Sequence, residues 1–330
     1  MSLRFGLLVV VAGAILIALA ITGITFGATP LAVGDVIRTL TGHADGVAGP
    51  VARIVLDLRL PRVLLAICVG GGLAVTGCLL QTATRNDLAD PFLFGLSAGA
   101  ATGAAFVIGH WGDALGIWTL PIAALAGTLL SAAAVLIVTE LQPGRGPERL
   151  VIVGIAVSFL FSALTSYLVF AGDQRAAHSV LFWSLGGLGL AAWHNLPLAA
   201  IGLVVAVLTA LMHRHALDGL LAGEETALSL GIDAPHLRRR IFLLCALSTS
   251  TLVSVAGVVG FIGLMIPHIA RALIGVRHGP LAILAALIGA AFLLAGDLGS
   301  RLLLAPQELP VGILTAAVGA VFILALVMRG

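Results

Sequence analysis

Long stretches without an acidic or basic side chain dominate the chain. Nine windows contain no Asp, Glu, Lys or Arg: residues 5–34, 63–84, 91–112, 114–139, 150–172, 176–213, 241–270, 279–296 and 309–328. About 20 apolar residues in a helix span a hydrocarbon core about 30 Å thick, whereas barrel strands are short and alternate between apolar and polar positions. The unbroken windows therefore predict an all-α integral membrane protein, with the lipid bilayer as its first partner.

The window 241–270 is too long for one span and predicts a break. Gly257, Gly260, Gly263 and Pro267 follow one another within it, and such residues interrupt membrane helices. Two spans in this window bring the predicted total to ten transmembrane helices. They form a single transmembrane domain that covers residues 1–330.

The basic residues set the expected orientation. All 17 of them are arginines. With ten spans and both termini in the cytoplasm, eleven arginines face the cytoplasm and six face the opposite side, as the positive-inside rule favours. Nine spans would give nine against eight, so the ten-span arrangement is the better prediction.

Composition excludes several classes of function. Hydrophobic residues make up 60% of the chain and charged residues 10%, too little polar surface for a soluble domain. A P-loop ATPase needs a lysine on the nucleotide phosphates, and the chain has no lysine. No basic run indicates nucleic acid. Cys68, Cys78 and Cys245 form no C-x-x-C pair, so disulfides and a metal site are not expected. We also expect no cofactor and no ATPase site in this chain.

Ion-coupled transporters carry ionisable groups inside the membrane. The windows hold no such group except histidines, of which His268 beside Pro267 lies deepest. We therefore expect a passive conduit that is driven by another polypeptide. The alternative from a different class is a proton- or sodium-coupled secondary transporter, and a membrane-embedded enzyme built on Asp297 and His268 is a weaker third.

The longest polar stretch on the expected cytoplasmic side lies between the sixth and seventh spans, at residues 217–240. Five apolar residues give it an apolar face: Leu220, Leu221, Ala227, Leu228 and Leu230. Gly231 is expected to end one short helix, and Asp233 before Pro235 to cap a second one. Two short helices at a surface form a knob that fits a groove on another protein. An ordinary interfacial helix fits the same pattern.

Several motifs resemble those of one transporter family. They are LRLPRVLLAICVGGGLAVTGCLLQTATRNDLADPFLFGLSAGA at 58–100, LAGEETALSLGID at 221–233, GFIGLMIPHIAR at 260–271, GDLGSR at 296–301 and LPVGILTAAVGA at 309–320. In this order they resemble the permease subunits of type II ABC importers for ferric siderophores, haem and cobalamin. The resemblance covers essentially the whole chain.

The resemblance implies partners and a location. A cobalamin-importer-permease-like bundle of ten helices forms a homodimer in the bacterial inner membrane, with both termini in the cytoplasm. Two ATP-binding cassette ATPase subunits bind below it, and a periplasmic substrate-binding protein docks on the opposite face. Arg59, Arg62 and Arg301 correspond to the arginines that hold acidic residues of the binding protein, which suits the planar, always charged guanidinium.

The resemblance also implies how the ATPase is contacted. The short cytoplasmic helix within residues 217–239 would enter a cleft of the ATPase. The positions that correspond to this contact are Gly223, Glu224, Ala227, Leu230 and Gly231. Small residues there would permit close approach, and apolar residues would be buried on contact.

A cytoplasmic gate is the third implied site. Asn86 and Leu88 lie in the turn after the second span, and Gly144 and Arg145 lie in the loop between the fourth and fifth spans. Asp87 departs from the family, which usually has proline at this position, and it adds a charge beside the gate. Asp90 followed by Pro91 is expected to start the third span.

The substrate is the most open point. Haem, ferric siderophores and cobalamin share this kind of permease. Histidines at the expected outer face favour haem slightly: His43, His110, His178 and His194. The expected function is therefore import of haem or a ferric siderophore, with cobalamin as the alternative.

Overall fold

Helices form where the apolar windows predict them. The computed structural model describes residues 3–27, 31–42, 49–141 and 147–328, and within these ranges it contains helices and no strand. The helices are α1 Leu3–Thr25, α2 Val33–Leu40, α3 Gly49–Arg53, α4 Leu60–Thr84, α5 Leu96–Phe106, α6 Thr119–Glu140, α7 Pro147–Ala171, α8 Gln174–Ser184, α9 Leu196–Leu221, α10 Glu224–Ser229, α11 Ala234–Ala256, α12 Ile262–Ile274, α13 His278–Leu302 and α14 Val311–Val327. The all-α prediction is confirmed.

Seven helical stretches in the described part are long and apolar enough to cross a membrane. They are Leu3–Thr25, Gly49–Thr84, Gly116–Glu140, Glu148–Ala171, Leu196–Leu221, Ala234–Ala256 and His278–Leu302. The other apolar helices are shorter, with 11 residues in α5, 13 in α12 and 17 in α14. At 1.5 Å per residue, α12 is about 20 Å long. These three helices would cross a bilayer only together with the irregular backbone beside them, so the count of ten stays a prediction.

The break predicted within 241–270 is confirmed. α11 ends at Ala256 and α12 begins at Ile262. Gly257 and Phe261 both have a φ of +67°, which a regular helix does not allow. The segment is held by neighbouring backbone, because Gly187 N donates to Ala256 O over 2.9 Å. Irregular backbone at membrane depth is tolerated where protein surrounds it in this way.

α4 is the central helix and packs against α9, α11, α12 and α13. Glycines let the backbones touch. A Cβ placed on Gly70 would lie 2.3 Å from Gly289 O of α13, and one on Gly77 would lie 1.9 Å from Gly263 O of α12. Such close approach is typical of small residues between membrane helices. The backbones of α12 and α13 therefore lie in direct contact with the backbone of α4.

The stripe of small residues at the start of the third span also serves packing within the chain. A Cβ on Gly99 would lie 2.4 Å from Gly127 O, and one on Gly103 would lie 2.0 Å from Ala123 O. Both contacts join α5 to α6 of the same subunit. Small residues at these positions let two helices of one subunit pack closely.

The start of the third span was predicted wrongly. Asp90 Oδ1 accepts a hydrogen bond from Phe92 N over 2.9 Å, but this bond closes a turn, and α5 begins only at Leu96. Gly95 has a φ of +74°, so a helix from Pro91 cannot continue through it. The turn places Phe94, which has no exposed surface, edge-on against the ring of Phe242. Burial of this aromatic ring outweighs the local capping signal.

The two ends of the bundle carry different side chains. Arg59 and Arg62 at the start of α4 and Arg301 at the end of α13 lie together, and we call this the arginine end. The start of α13, the end of α4 and the short helix α10 lie at the opposite end of these helices, which we call the α10 end.

Candidate functional site

A buried carboxylate organises the arginine end. Asp297 has no exposed surface. Its Oδ1 accepts a hydrogen bond from Arg62 Nε over 2.9 Å, and its Oδ2 pairs with Arg301 Nη2 over 3.0 Å. Burying a carboxylate is costly unless opposite charges surround it. The three side chains therefore form one unit that joins α4 to α13.

Two of the arginines also hold the end of α1. Arg59 Nη1 donates to Ile24 O over 2.8 Å and to Thr25 O over 2.7 Å. Arg301 Nη1 donates to Gly23 O over 3.0 Å. The last carbonyls of a helix have no partner within it, and cations there also suit the helix dipole. These arginines therefore cap α1.

The three arginines assigned to docking are thus brought together, but they are mostly inside the protein. Arg59 is 7% exposed and Arg301 is 4% exposed. Arg62 reaches the surface, where its Nη1 donates to Glu308 Oε2 over 2.8 Å, and the Glu308 side chain is 44% exposed. The sequence analysis missed Asp297 and Glu308 as partners. The four-residue spacing of Asp297 and Arg301 on one helix was the available signal.

The gate turn, residues 85–89, follows α4 directly. Arg85 has a left-handed φ of +48° and ends the helix. Asn86 Oδ1 accepts a hydrogen bond from Leu88 N over 3.0 Å, so the amide side chain of Asn86 shapes the turn. Leu88 is 50% exposed. An exposed leucine on a tight turn is available for contact with another surface.

Asp87, which departs from the family, has a partner in this structure. Its carboxylate lies 3.3 Å from Arg271 Nη2 of α12. The turn borders a cleft of about 620 Å³ that the first residues of α7 also line, among them Glu148 and Ile152. The other expected gate residues, Gly144 and Arg145, lie outside the described residues.

The ATPase-coupling residues fall on and around α10. Glu224 is the first residue of the helix, and Gly223 before it has a φ of +114°. Gly231 after the helix has a φ of +74°, as expected for a residue that ends a helix. Leu230, between α10 and Gly231, is 64% exposed.

Ala227 has a different environment from the one expected. Its exposed surface is 0%, and it packs in an apolar cluster of its own subunit that includes Leu217 and Leu220. Its side chain therefore does not face a partner. Leu228, 73% exposed, takes the place of Ala227 on the outward surface of α10.

The second short helix predicted after Gly231 does not form. Asp233 caps a helix as expected, because its Oδ1 accepts from His236 N over 3.1 Å. That helix, however, is the 23-residue α11. Since α9 extends to Leu221, the connection between α9 and α11 consists of α10 and the residues on either side of it.

The histidines considered for haem are spread over separate aromatic contacts. His110 stacks on Phe106 at a ring distance of 6.1 Å, and His194 meets Trp118 edge-on at 5.8 Å. His178 stacks on Phe182, and His43 lies outside the described residues. No group of three or more His, Cys, Asp or Glu side chains that could hold a metal ion occurs in the described part of the chain.

Comparison with known proteins identifies the family. Residues 15–329 match the FecCD transport family. The hemin transport system permease protein HmuU of Yersinia pestis is 36% identical over 299 residues, which covers 89% of this chain and 87% of that protein. The cobalamin import system permease protein BtuC of Halobacterium salinarum is 37% identical over 248 residues, covering 75% and 66%.

A solved structure has the same fold. A metal-chelate type ABC transporter in an inward-facing conformation superimposes with a TM-score of 0.84 at 28% identity, covering 98% of this chain and 99% of that one. The Fe(3+) dicitrate transport system permease protein FecD of Escherichia coli is 35% identical over 259 residues, covering 78% of this chain and 79% of that protein. The chain belongs to the FecCD transport family and is a multi-pass permease subunit of an ABC importer of this type.

Proposed function

We propose that this permease imports haem or a ferric siderophore as one of two copies in an importer complex. Two ATP-binding cassette ATPase subunits bind the α10 end, and a periplasmic binding protein binds the arginine end. Each copy crosses the bacterial inner membrane ten times with both termini in the cytoplasm. Relatives that transport hemin and ferric dicitrate support this substrate class. A cobalamin permease is the second candidate, favoured by a relative of similar identity.

The ATPase contact rests on one observation. Leu228 and Leu230 expose 73% and 64% of their surface on the short segment that connects α9 to α11. Neighbouring apolar side chains that are exposed together and bordered by polar residues are typical of a contact with another protein. In this proposal both leucines enter the ATPase, while Gly223 and Gly231 give the segment its bends and Glu224 and Ala227 fix it to the permease.

The docking surface rests on the Arg62–Glu308 pair. Arg62 is the docking arginine that reaches the surface, and Glu308 occupies one of its donors. A carboxylate of the binding protein would compete with Glu308 for this guanidinium. Arg59 and Arg301 act indirectly, because they hold α1 and Asp297 in place beside Arg62.

The gate rests on the exposed Leu88. In a homodimer the Leu88 and Asn86 turns of both copies would meet on the pathway axis, together with Gly144 and Arg145.

The surroundings of Asp297 disfavour a secondary transporter. This acid lies in α13 and has no exposed surface. Its two carboxylate oxygens both lie within ion-pair distance of arginines of the same subunit, so the side chain belongs to a structural ion-pair unit and offers no open carboxylate for ion coupling.

Transport in proteoliposomes tests the proposal. The permease would be reconstituted with its ATPase, and uptake of haem, a ferric siderophore and cobalamin would be compared with ATP inside and binding protein outside. We expect ATP-dependent uptake of one iron chelate. Uptake of cobalamin alone would favour the second candidate, and uptake driven by a proton or sodium gradient without ATP would overturn the importer assignment.

A further inference from the structure

The last turn of α4, directly before the gate turn, is held by buried side chains from two other helices. His278 Nε2 of α13 lies 2.8 Å from Thr82 Oγ1. Arg238 Nε of α11 donates to Ala83 O over 3.0 Å. His278 is 1% exposed, Thr82 2% and Arg238 6%. The two contacts therefore grip neighbouring residues of α4 away from solvent.

Arg238 also contacts α10. Arg238 Nη2 donates to Glu224 Oε1, and Glu224 is the first residue of α10. The planar guanidinium presents its donors in a fixed fork. The side chain of Arg238 therefore joins the start of α10 to the backbone of Ala83. A displacement of Glu224 would move Arg238 and, through it, Ala83.

His278 also contacts α9, the helix that precedes α10. His278 Nδ1 lies 2.6 Å from Asp218 Oδ1, and His278 N donates to the same oxygen over 2.9 Å. Asp218 lies in the last turn of α9, which ends at Leu221. Since a carboxylate only accepts, the Nδ1 of the imidazole carries a proton towards Asp218. The ring thus links α9 to Thr82.

The two links share their start and their end. Asp218 and Glu224 flank the connection from α9 to α10, and Thr82 and Ala83 are adjacent on α4. We propose that Glu224–Arg238–Ala83 and Asp218–His278–Thr82 are paired relays through which displacement of α10 repositions the gate turn. This assigns Arg238, His278 and Asp218 as positioning residues for transport. The inference rests on the proposed roles of α10 and residues 85–89.

A third contact at the same turn supplies a matched control. Arg271 of α12 donates to Gln81 Oε1 and lies 3.3 Å from Asp87. Its described partners lie in α4 and the gate turn, and none lies in α10. Replacing Arg271 therefore loosens the gate turn without cutting either relay.

Amide hydrogen exchange of the isolated permease tests the relays without any partner. The variants are Glu224→Gln and Asp218→Asn, and both keep the shape of the side chain. A hydrogen bond with a charged group stabilises enough that its loss speeds local opening about tenfold. We expect exchange in residues 81–89 to rise about tenfold in each variant, although neither substitution lies there.

Two comparisons separate a relay from local support. Arg238→Gln should reproduce the effect of Glu224→Gln, whereas Arg240→Gln, at an exposed arginine of the same helix, should leave residues 81–89 unchanged. Exchange in residues 63–76 of α4 should stay at the wild-type rate, which shows that the fold is intact. If Glu224→Gln and Asp218→Asn change exchange only in α9 and α10, the relays do not exist.

The assembled complex gives the functional readout. With cysteine at position 86, crosslinking across the dimer should depend on nucleotide in the wild-type background. Glu224→Gln combined with Asp218→Asn should keep the ATPase bound but reduce this dependence at least fivefold, whereas Arg271→Gln should retain it. Full nucleotide dependence in the double variant would overturn the proposal. Failure of the wild-type permease to bind any ATPase would instead refute the proposed function and leave the exchange result standing.

Discussion

The arginine end and the α10 end differ in which side chains are buried and which are exposed. At the arginine end, charges lie inside: Asp297 is wholly buried between Arg62 and Arg301. At the α10 end, Arg238 and His278 are buried as well, but Leu228 and Leu230 are mostly exposed. Paired charges in the interior hold a subunit together, whereas exposed apolar groups mark a contact with another protein. The ion pairs at the first end stabilise the subunit itself, and the exposed leucines at the second end support the proposed contact with an ATPase.

This difference changes how the arginine motifs are understood. The arginines of RLPR and GDLGSR were expected to dock the binding protein, but Arg59 and Arg301 donate hydrogen bonds to the carbonyls of α1. Arg62 alone among the three has a solvent-facing partner, Glu308. A surface role and a structural role therefore divide among the three arginines.

The largest effect is expected from removing the carboxylate at the arginine end. Asp297→Ala leaves Arg62 and Arg301 without their shared counter-ion, and breaking a buried pair in this way costs about 3–5 kcal/mol. Thermal unfolding of the purified permease measures the loss. Glu308→Gln is the control, since an exposed pair contributes about 0–1 kcal/mol. Equal destabilisation by the two variants would contradict the distinction between the buried pair and the surface pair.

The exposed leucines of α10 should affect binding and leave stability unchanged. Leu228→Asp combined with Leu230→Asp should weaken ATPase affinity at least tenfold, because apolar anchors dominate protein interfaces. Unfolding free energy should change by less than about 0.5 kcal/mol per site, as for other surface positions. The matched control is Leu303→Asp with Leu304→Asp, two exposed leucines at the arginine end. ATPase binding that survives the α10 variant would leave α10 as an ordinary interfacial helix.

Docking should respond in opposite directions to the two members of the surface pair. Arg62→Gln should slow association with the binding protein several-fold at low salt, because rim charges act mainly on the association rate. Glu308→Gln should speed it, because this acid competes for Arg62. Association kinetics at two salt concentrations measure both. Slower association in both variants, or a matching change in Arg175→Gln at an exposed arginine, would remove Arg62 from the docking site.

The gate should give the smallest change in stability. Leu88 is half-exposed, so Leu88→Ala removes little packing in the single subunit and should cost less than about 1 kcal/mol. In the complex it should raise ATPase activity without binding protein by a few-fold and allow substrate to leak. Leu243→Ala, at a comparably exposed leucine of α11, is the control. No leak, together with nucleotide-independent crosslinking of a cysteine at position 86, would place the gate elsewhere.

Patterns along the chain predicted most of the helices. The charge-free windows matched the helical segments, and four residues between 257 and 267 located the break between α11 and α12. These features are local, because the length of an apolar run and a glycine with positive φ act within a few residues. The N-cap role of Asp233 was predicted for the same reason, although the helix that it starts is longer than expected.

Errors arose where a local signal competed with burial. Asp90 and Pro91 have the chemistry of a helix start, but the burial of Phe94 and the left-handed Gly95 delay α5 to Leu96. The sequence pattern places Ala227 on the face of α10 that contacts a partner. In the structure Ala227 is buried within the subunit, and Leu228 is exposed instead. One face of a six-residue helix cannot be assigned from its sequence, because either face holds apolar residues.

The order of residues was enough to show a helical membrane protein, the course of most helices and the family motifs. Which side chains meet follows from the three-dimensional packing. Arg62 and Asp297, which form an ion pair, are 235 residues apart in the sequence. Thr82 and His278 of the proposed relay are 196 residues apart. Those meetings depend on the close packing of α4 with α13 through Gly70 and Gly289. Hydropathy records how far a helix is buried, and it contains no information on which neighbour buries it.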